Sequence, residues 1–260
     1  MADSSFASRG VVVTGANRGI GQAVALAFLQ AGFRVVAVAR SLASLDSLAA
    51  LAGPAGQALE RLECDVADAA ALERTCQLLQ GRTVAPAVLV NNAGVSVGAP
   101  LERTSRADFE RVLAINTVAP YLLCAALLPG MARAGGGRVV NIASIAGLRG
   151  IRYTSAYCAS KHALVGLTRA LAVEWADRGI TVNAVCPGWT ETDMLRGAVQ
   201  AVSDKTGRSP DKAREAILAR TPLGRAVTPE EVAALVLHLA SPLAASLTGA
   251  ALPVDGGESA

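Results

Sequence analysis

The chain has 260 residues, a length that suits one large α/β domain or two small ones and is ample for a buried core. Hydrophobic residues make up 52 % of it and aromatics only 3 %, so the core is expected to be Ala, Val, Leu and Ile, as in a buried parallel sheet. The net charge of +3 is too small to argue for nucleic acid or an anionic membrane surface as partner.

Met1 to Gly10 lacks the apolar core of a secretion signal. Gly10 to Thr14 is a β-branched run that ends in Gly15-Ala16-Asn17-Arg18-Gly19-Ile20-Gly21, and Gln22 to Gln30 reads as helix. Strand, glycine loop, helix is the arrangement that binds phosphates: glycines let the backbone approach a pyrophosphate, and free N–H groups at the helix start point to it. The spacing is G-x-x-x-G-x-G rather than the G-x-G-x-x-G dinucleotide fingerprint, and a tight turn alone would also want glycine. Phe33 to Ala39 is a second strand with Arg40 at its end. In a dinucleotide fold an acidic residue there selects a free ribose 2′-hydroxyl and an arginine a 2′-phosphate, so Arg40 and Arg18 favour NADPH over NADH.

Ser41 to Leu51 reads as helix, Gly53 to Gly56 as loop, and Leu59 to Val66, with Asp65, as a third strand. Ala67 to Gln80 is helical, and Ala87 to Val90 is a fourth strand running into Asn91-Asn92-Ala93-Gly94. Strands alternating with helices predict a doubly wound parallel sheet with its ligand at the carboxyl ends of the strands, where Thr14, Asp65 and Asn91 fall. Gly94-Val95-Ser96-Val97-Gly98 matches a nucleophile elbow, and Asp193 and His238 follow in the chain order of a serine hydrolase. An elbow must run straight into a helix, whereas Ala99-Pro100-Leu101 continues as loop before an N-cap at Thr104 or Ser105.

Asp108 to Met131 has a long helical pattern interrupted by Asn116, a polar amide that is either exposed or bonded to backbone, or marks a bend by an inserted water or a π-bulge. The most apolar run, Val118 to Leu128, is flanked or broken by Asn116, Pro120 and Pro129, so no membrane span is expected. Gly135 to Gly137 turns the chain into a fifth strand, Arg138 to Ala143, with Ser144 at its end. Ser155 to Arg178 is a helix carrying Tyr157 and Lys161. Tyrosines and lysines number three each, so this spacing arises by chance roughly one time in thirty. Residues four apart share a helix face, where an ammonium would favour phenolate, and a serine hydroxyl from another segment could hold a substrate oxygen. The apolar residues of this helix cover more than one face, which points to a partner subunit. Thr181 to Cys186 is a sixth strand leading to Pro187-Gly188-Trp189-Thr190-Glu191-Thr192-Asp193. Residues 195–227 break the rhythm, as a lid or substrate loop does. Pro229 to Ala240 is a helix capped by Thr228, and Ala250 to Val254 is the last strand. The five cysteines show no C-x-x-C spacing and read as reduced thiols of a cytosol-like compartment. With two histidines, neither near a ligand-spaced partner, no metal site is expected.

Together these pieces resemble the short-chain dehydrogenase/reductase family over almost the whole chain. The marks are Thr14-Gly15-x-x-x-Gly19-x-Gly21, Asn91-Asn92-Ala93-Gly94, Asn116, Ser144, Tyr157-x-x-x-Lys161, Pro187-Gly188 and Val254-Asp255-Gly256-Gly257. The resemblance implies a single Rossmann-like α/β domain over 1–260: a doubly wound parallel sheet of about seven strands, flanked by helices, with a helical lid near 193–225. It also implies a nicotinamide cofactor and usually a homotetramer, and the unpaired cysteines add the expectation of a cytoplasmic location. Within the family the chain is similar to NADPH-dependent 3-oxoacyl thioester reductases and polyketide ketoreductases, on the softer grounds of Arg40, the lid and the passage from Thr221 to Ala233.

The resemblance assigns roles residue by residue. Hydride passes to a ketone carbon while Tyr157 protonates the oxygen and Ser144 hydrogen-bonds it. Lys161 lowers the phenol's pKa and binds the nicotinamide ribose, and Asn116 holds a relay water. Gly15, Asn17, Arg18, Gly19, Ile20 and Gly21 would cradle the pyrophosphate. Asp65 and Val66 would face the adenine, Asn91, Ala93 and Gly94 the ribose side, and Pro187, Gly188, Thr190 and Thr192 the carboxamide. Ser96, Leu148, Ile151, Tyr153, Trp189 and Met194 are expected to line the substrate pocket. The substrate would be a ketone or an acyl thioester, on coenzyme A or an acyl carrier protein whose phosphates meet seven basic residues between Arg196 and Arg225. The alternatives are an NAD(H)-dependent secondary alcohol, hydroxysteroid or 3-hydroxyacyl-CoA dehydrogenase and, more remotely, a serine hydrolase using Ser96.

Overall fold

Short valine-rich runs, too apolar to face water on either side, build the centre of the molecule. The computed structural model describes residues 9–260; the segment up to residue 8, where no signal core was read, lies outside the described residues. Seven parallel strands form one sheet: β1 Val11–Thr14, β2 Val35–Ala39, β3 Leu59–Glu63, β4 Val88–Asn91, β5 Gly137–Ile142, β6 Ile180–Pro187 and β7 Ala251–Val254. Their order across the sheet is β3-β2-β1-β4-β5-β6-β7, so the chain winds outward in both directions from β1. A crevice opens outside the carboxyl ends of β1 and β4, where the winding reverses. β3 ends at Glu63, short of Val66, and Cys64 is tied to its neighbour only by its N–H to the Ala39 carbonyl (2.7 Å).

Side chains alternate across the strands and divide the core into two layers. Val11, Val13, Val88 and Val90 face one side, against helices α1 (Gly19–Gln30), α2 (Asp46–Ala52) and the later helix Pro229–Ala240. Val12, Leu89, Val139 and Val182 face the other. That second face is covered by α3 (Ala69–Gln80) and by the later helices α5 (Ala119–Arg133) and α6 (Ser155–Trp175), with α4 (Arg106–Leu113) packed against α6. Between α4 and α5 the chain makes a π-helical turn, Ala114–Val118, with Asn116 at its centre. Pro120, four residues after Asn116, has no N–H to give to the Asn116 carbonyl, a sufficient local cause for departure from α geometry. The continuous helical stretch Arg106–Arg133 is therefore 28 residues long and, by length and composition alone, apolar enough to cross a membrane. Over half of its most apolar window is buried inside the protein, against α3 and the sheet.

Two further helices, α7 (Asp193–Thr206) and α8 (Pro210–Leu218), form a hairpin after β6 with its own small core of Leu195, Leu218 and Ala226. The helix Pro229–Ala240 is α9; Thr228 and Glu231 close its start with a reciprocal capping box.

Candidate active site

The carboxyl end of β1 and the glycine loop are clasped to β4 by two side chains. Thr14 Oγ1 accepts the N–H groups of Asn92 and Ala93 (3.0 Å each), and Asn92 Nδ2 donates to the carbonyls of Thr14 (2.9 Å) and Gly15 (3.1 Å). This packing leaves no room for a side chain at Gly21, where a Cβ would collide with the Gly15 carbonyl and Asn92 Nδ2. Gly15 adds a positive φ of 64°. The N-cap of α1, Arg18, gives no side-chain cap to the helix, and the first turn holds no acidic residue. Its N–H groups therefore meet the crevice uncapped, which fits a pyrophosphate. Arg40, at the end of β2, is exposed and has no ion pair among the described residues. Arg18 is engaged: its Nη1 lies 2.8 Å from Asp193 Oδ2 at the start of α7.

β5 delivers Ser144 one residue past Ala143, where its Oγ accepts the Ala146 N–H (3.1 Å). Helix α6 brings Tyr157 beside it, close enough for the Ser144 side chain to act on the phenol, while Ser144 Oγ also lies 3.5 Å from the Pro187 carbonyl. Lys161, one turn on, is only 4 % exposed, and its Nζ donates to the Ile142 carbonyl (2.8 Å). The sequence led us to expect the ammonium to pull the phenol's pKa down. Burial instead pushes the Tyr157 phenol up to about 12, with the Ser144 side chain opposing it, and the same burial lowers Lys161 to about 8. Nζ is turned to the Ile142 carbonyl and stands 5.7 Å from the Tyr157 ring centre, so desolvation outweighs the charge.

Asn116 is fully buried. Its Oδ1 accepts the Val95 N–H (2.9 Å), while Nδ2 donates to the Val95 carbonyl (2.9 Å) and to Ser160 Oγ (3.0 Å). Its side chain is thus committed to the loop after β4 and to the helix of Tyr157. Gly94 sits between the two halves of the site: a Cβ there would lie 3.3 Å from Asn116 Oδ1 and 3.6 Å from Lys161 Nζ. The glycine loop, Gly94, Lys161, Tyr157 and Ser144 all stand at the carboxyl edge of the sheet, after β1, β4 and β5 or on α6.

Other expected residues are placed differently. Asn91 is 2 % exposed and its amide points into the sheet–helix layer, donating to Asn141 Oδ1 (2.8 Å), so only its backbone can face the crevice. Ile20 and Val66 pack partly into the two core layers. Asp65 is exposed, with Oδ1 accepting the Ala67 N–H, and Asn17 gives its carbonyl to Gln22. Pro187 and Thr190 are buried, while Gly188 and Thr192 are half-buried at the end of β6; the Thr192 methyl would lie 3.0 Å from a Cβ on Gly19. Ala93 is half-buried beside Thr14.

Of the substrate-lining set, Ile151 and Tyr153 border a cavity of about 500 Å³ with Pro100, Leu101 and Cys158. Tyr153 has a positive φ of 66°, held by its carbonyl accepting the Ala99 N–H (2.8 Å). Leu148 packs with Leu164 and Val165, and Trp189 packs into the core of the α7–α8 hairpin, so neither is free to line that cavity. Met194 and Ser96 are exposed away from it. No hydrolytic triad assembles: Ser96 lies in extended loop with no hydrogen-bond partner among the described residues, and Asp193 pairs with Arg18 and Arg196 rather than with His238. Ser160 has no role in the sequence reading, and Thr14 and Asn92 have only their places at the strand ends. The Asn-Asn pair at a strand end was the one visible signal, since such amides tie neighbouring strand ends together.

Comparison with known proteins agrees with this geometry. A family described as Enoyl-(Acyl carrier protein) reductase matches residues 15–259. The 3-oxoacyl-[acyl-carrier-protein] reductase FabG of Pseudomonas aeruginosa is 38% identical over 97% of this chain and 98% of its own. D-threitol dehydrogenase of Mycolicibacterium smegmatis is also 38% identical, over 95% of this chain and 91% of its own. A crystal structure of a variant actinorhodin polyketide ketoreductase with NADPH superposes with a TM-score of 0.91 at 38% identity, covering 100% of this chain and 99% of that one. The chain is therefore an oxidoreductase of the short-chain dehydrogenase/reductase family.

Proposed function

We propose that this enzyme reduces a ketone to a secondary alcohol with NADPH, on a 3-oxoacyl thioester or a polyketide. The observation that carries the reading is the Tyr157–Ser144 hydroxyl pair beside buried Lys161, on the same edge as an uncapped, glycine-lined helix start. Two hydroxyls aimed at one oxygen suit a carbonyl better than a carbon–carbon double bond. When bound, NADPH supplies the hydride to the carbonyl carbon. Tyr157 donates its phenolic proton to the carbonyl oxygen, and Ser144 Oγ holds that oxygen by a hydrogen bond. A phenol raised to about 12 stays protonated at neutral pH, the form a donor requires. Lys161 contributes its ammonium to the ribose hydroxyls. Asn116, whose side chain is committed, serves a relay water through the carbonyl that Pro120 leaves without an α-helical donor.

Gly15, Asn17, Gly19 and Gly21 would hold the pyrophosphate, with Arg40 on the 2′-phosphate. Arg18, held by Asp193, stays off that phosphate and ties the hairpin to the glycine loop instead. The backbones of Asn91, Ala93, Pro187 and Thr190 and the exposed Asp65 complete the cofactor groove. We further assign a cytoplasmic homotetramer, supported by the exposed apolar side chains of Phe109, Val118 and Tyr121 on the α4–α5 stretch. Residues 193–225 act as a lid. Of its seven basic residues, Arg196, Arg214 and Arg225 are bound to carboxylates, which leaves Lys205, Arg208, Lys212 and Arg220 for the phosphates of coenzyme A or a carrier protein.

The second reading, NAD(H)-dependent oxidation of a secondary alcohol, draws on the likeness to a polyol dehydrogenase. Cofactor absorbance separates the two: NADPH and NADH are each followed against acetoacetyl-CoA, cyclic diketones and aryl ketones. NADPH consumption that outpaces NADH and weakens in Arg40→Ala is the expected result. A preference for NADH that ignores Arg40 would overturn the phosphate assignment.

A further inference from the structure

Helix α6 carries both Tyr157 and Lys161, so the site is only as well defined as the position of this helix on the sheet. Most of its contact with the sheet layer is apolar, through Leu164, Val165, Leu171 and Ala172. Apolar contact has no direction, and it tolerates a small slide or rotation of the helix. One buried hydrogen bond does not. Asn141 Nδ2 on β5 donates to Thr168 Oγ1 (2.9 Å), and both residues are 0 % exposed.

The contact is held from both sides. Thr168 Oγ1 itself donates to the Leu164 carbonyl (2.8 Å), which fixes its direction on the helix. Asn141 Oδ1 accepts from Asn91 Nδ2 (2.8 Å), and the two asparagines stand opposite each other in the β4–β5 ladder. The amide orientation follows from this network. Thr168 lies seven residues beyond Lys161, two turns along nearly the same face and about 10 Å away. The next residue of β5 after Asn141 is Ile142, whose carbonyl takes Lys161 Nζ. Two adjacent residues of one strand thus grip one helix at two points, one of which is a site residue.

We infer that Thr168, acting through Asn141, is a positioning residue that sets the axial register of Tyr157 and Lys161 against Ser144 and Ile142, an inference that rests on the reductase reading. Loss of the hydroxyl leaves Asn141 Nδ2 buried without an acceptor and frees α6 to shift. Displacements of about 1 Å at reacting groups lower rates by up to about 10²-fold.

The test is Thr168→Val, which keeps the β-branched shape, beside Thr168→Ser, which keeps the hydroxyl. In NADPH-dependent reduction of acetoacetyl-CoA or a cyclic diketone, T168V is expected to lose about ten-fold in kcat with the NADPH Kd little changed and the melting temperature lowered by a few degrees. T168S is expected to recover most of the rate. Amide exchange of Tyr157 to Lys161, read without any reaction, should quicken in T168V while the strand amides of β1 and β4 stay protected. Should T168V fail to accumulate folded, T168A removes the same acceptor with a better helix former. Wild-type kcat in the hydroxyl-less variant, equal losses in the Val and Ser forms, or unchanged exchange on α6 would each overturn the inference. A wild-type enzyme that consumes no NADPH with any ketone would sink the reductase reading instead, and the exchange result would still decide the helix clamp.

Discussion

Floor and cover of the same crevice are held by opposite means. The floor is Asn116, Ser160, Lys161, Thr168 and Asn141, all buried and bonded to backbone carbonyls or to one another. The cover, on the lid assignment proposed above, is the α7–α8 hairpin, which buries little more than Leu195, Ala213 and Leu218. It reaches the body through Arg18–Asp193, whose side chains are 64% and 46% exposed, and is braced at its base by Glu191–Arg214. A buried hydrogen bond is costly to leave unmade, whereas an exposed ion pair is worth about 0.2–1 kcal/mol and opens readily. The floor is thus held firmly and the hairpin loosely, as the proposed lid requires.

The sharpest break in the floor is Tyr157→Phe. It removes the proton donor and keeps the ring beside Lys161, so turnover should fall by about 10²–10⁴-fold while NADPH still binds. Steady-state rates and NADPH titration read the two effects separately, and near-normal turnover would remove Tyr157 from the mechanism. Next in size is the pH profile. Burial places Lys161 at about 8, and its ammonium is the working form, so the saturated rate should hold below that pH. Above it the rate should fall by about ten-fold per unit as the proton leaves, while the phenol, near 12, remains protonated. A rate that stays level to pH 10 would show that the neutral amine suffices.

The frame of the site was more legible in the sequence than the bonds that fix its floor. Element order, the seven strands, the cap at Thr228 and the spacing of Tyr157 and Lys161 follow from period, turn residues and helix geometry, all local properties. The π turn at Asn116 was readable as one of two options, because a polar amide in an apolar helix and a proline four residues on both disturb the ladder. Directions of side chains were not readable. Asn91 and Trp189 sit at the right edge, yet one points into the sheet and the other into the hairpin, which depends on what packs behind them. The raised phenol likewise depends on burial, a sum over many distant residues that no four-residue spacing contains. Arg18 was read as a phosphate ligand because its partner lies 175 positions away, beyond any local pattern.

That pairing gives the finest test of the cover. Asp193→Asn removes the charge that holds Arg18 and also frees Arg196, at a surface position where the fold should not suffer. With at most about 1 kcal/mol at stake, NADP+ release measured by stopped flow should quicken by no more than about five-fold. Salt screens exposed charges, so about 0.5 M NaCl should produce the same acceleration in the wild type and almost none in D193N. An effect above ten-fold would mean that the hairpin is clamped as firmly as the floor, and the contrast between the two regions would fail. No effect at all, with or without salt, would place the opening of the cover elsewhere, at Glu191–Arg214 and the small core around Leu195.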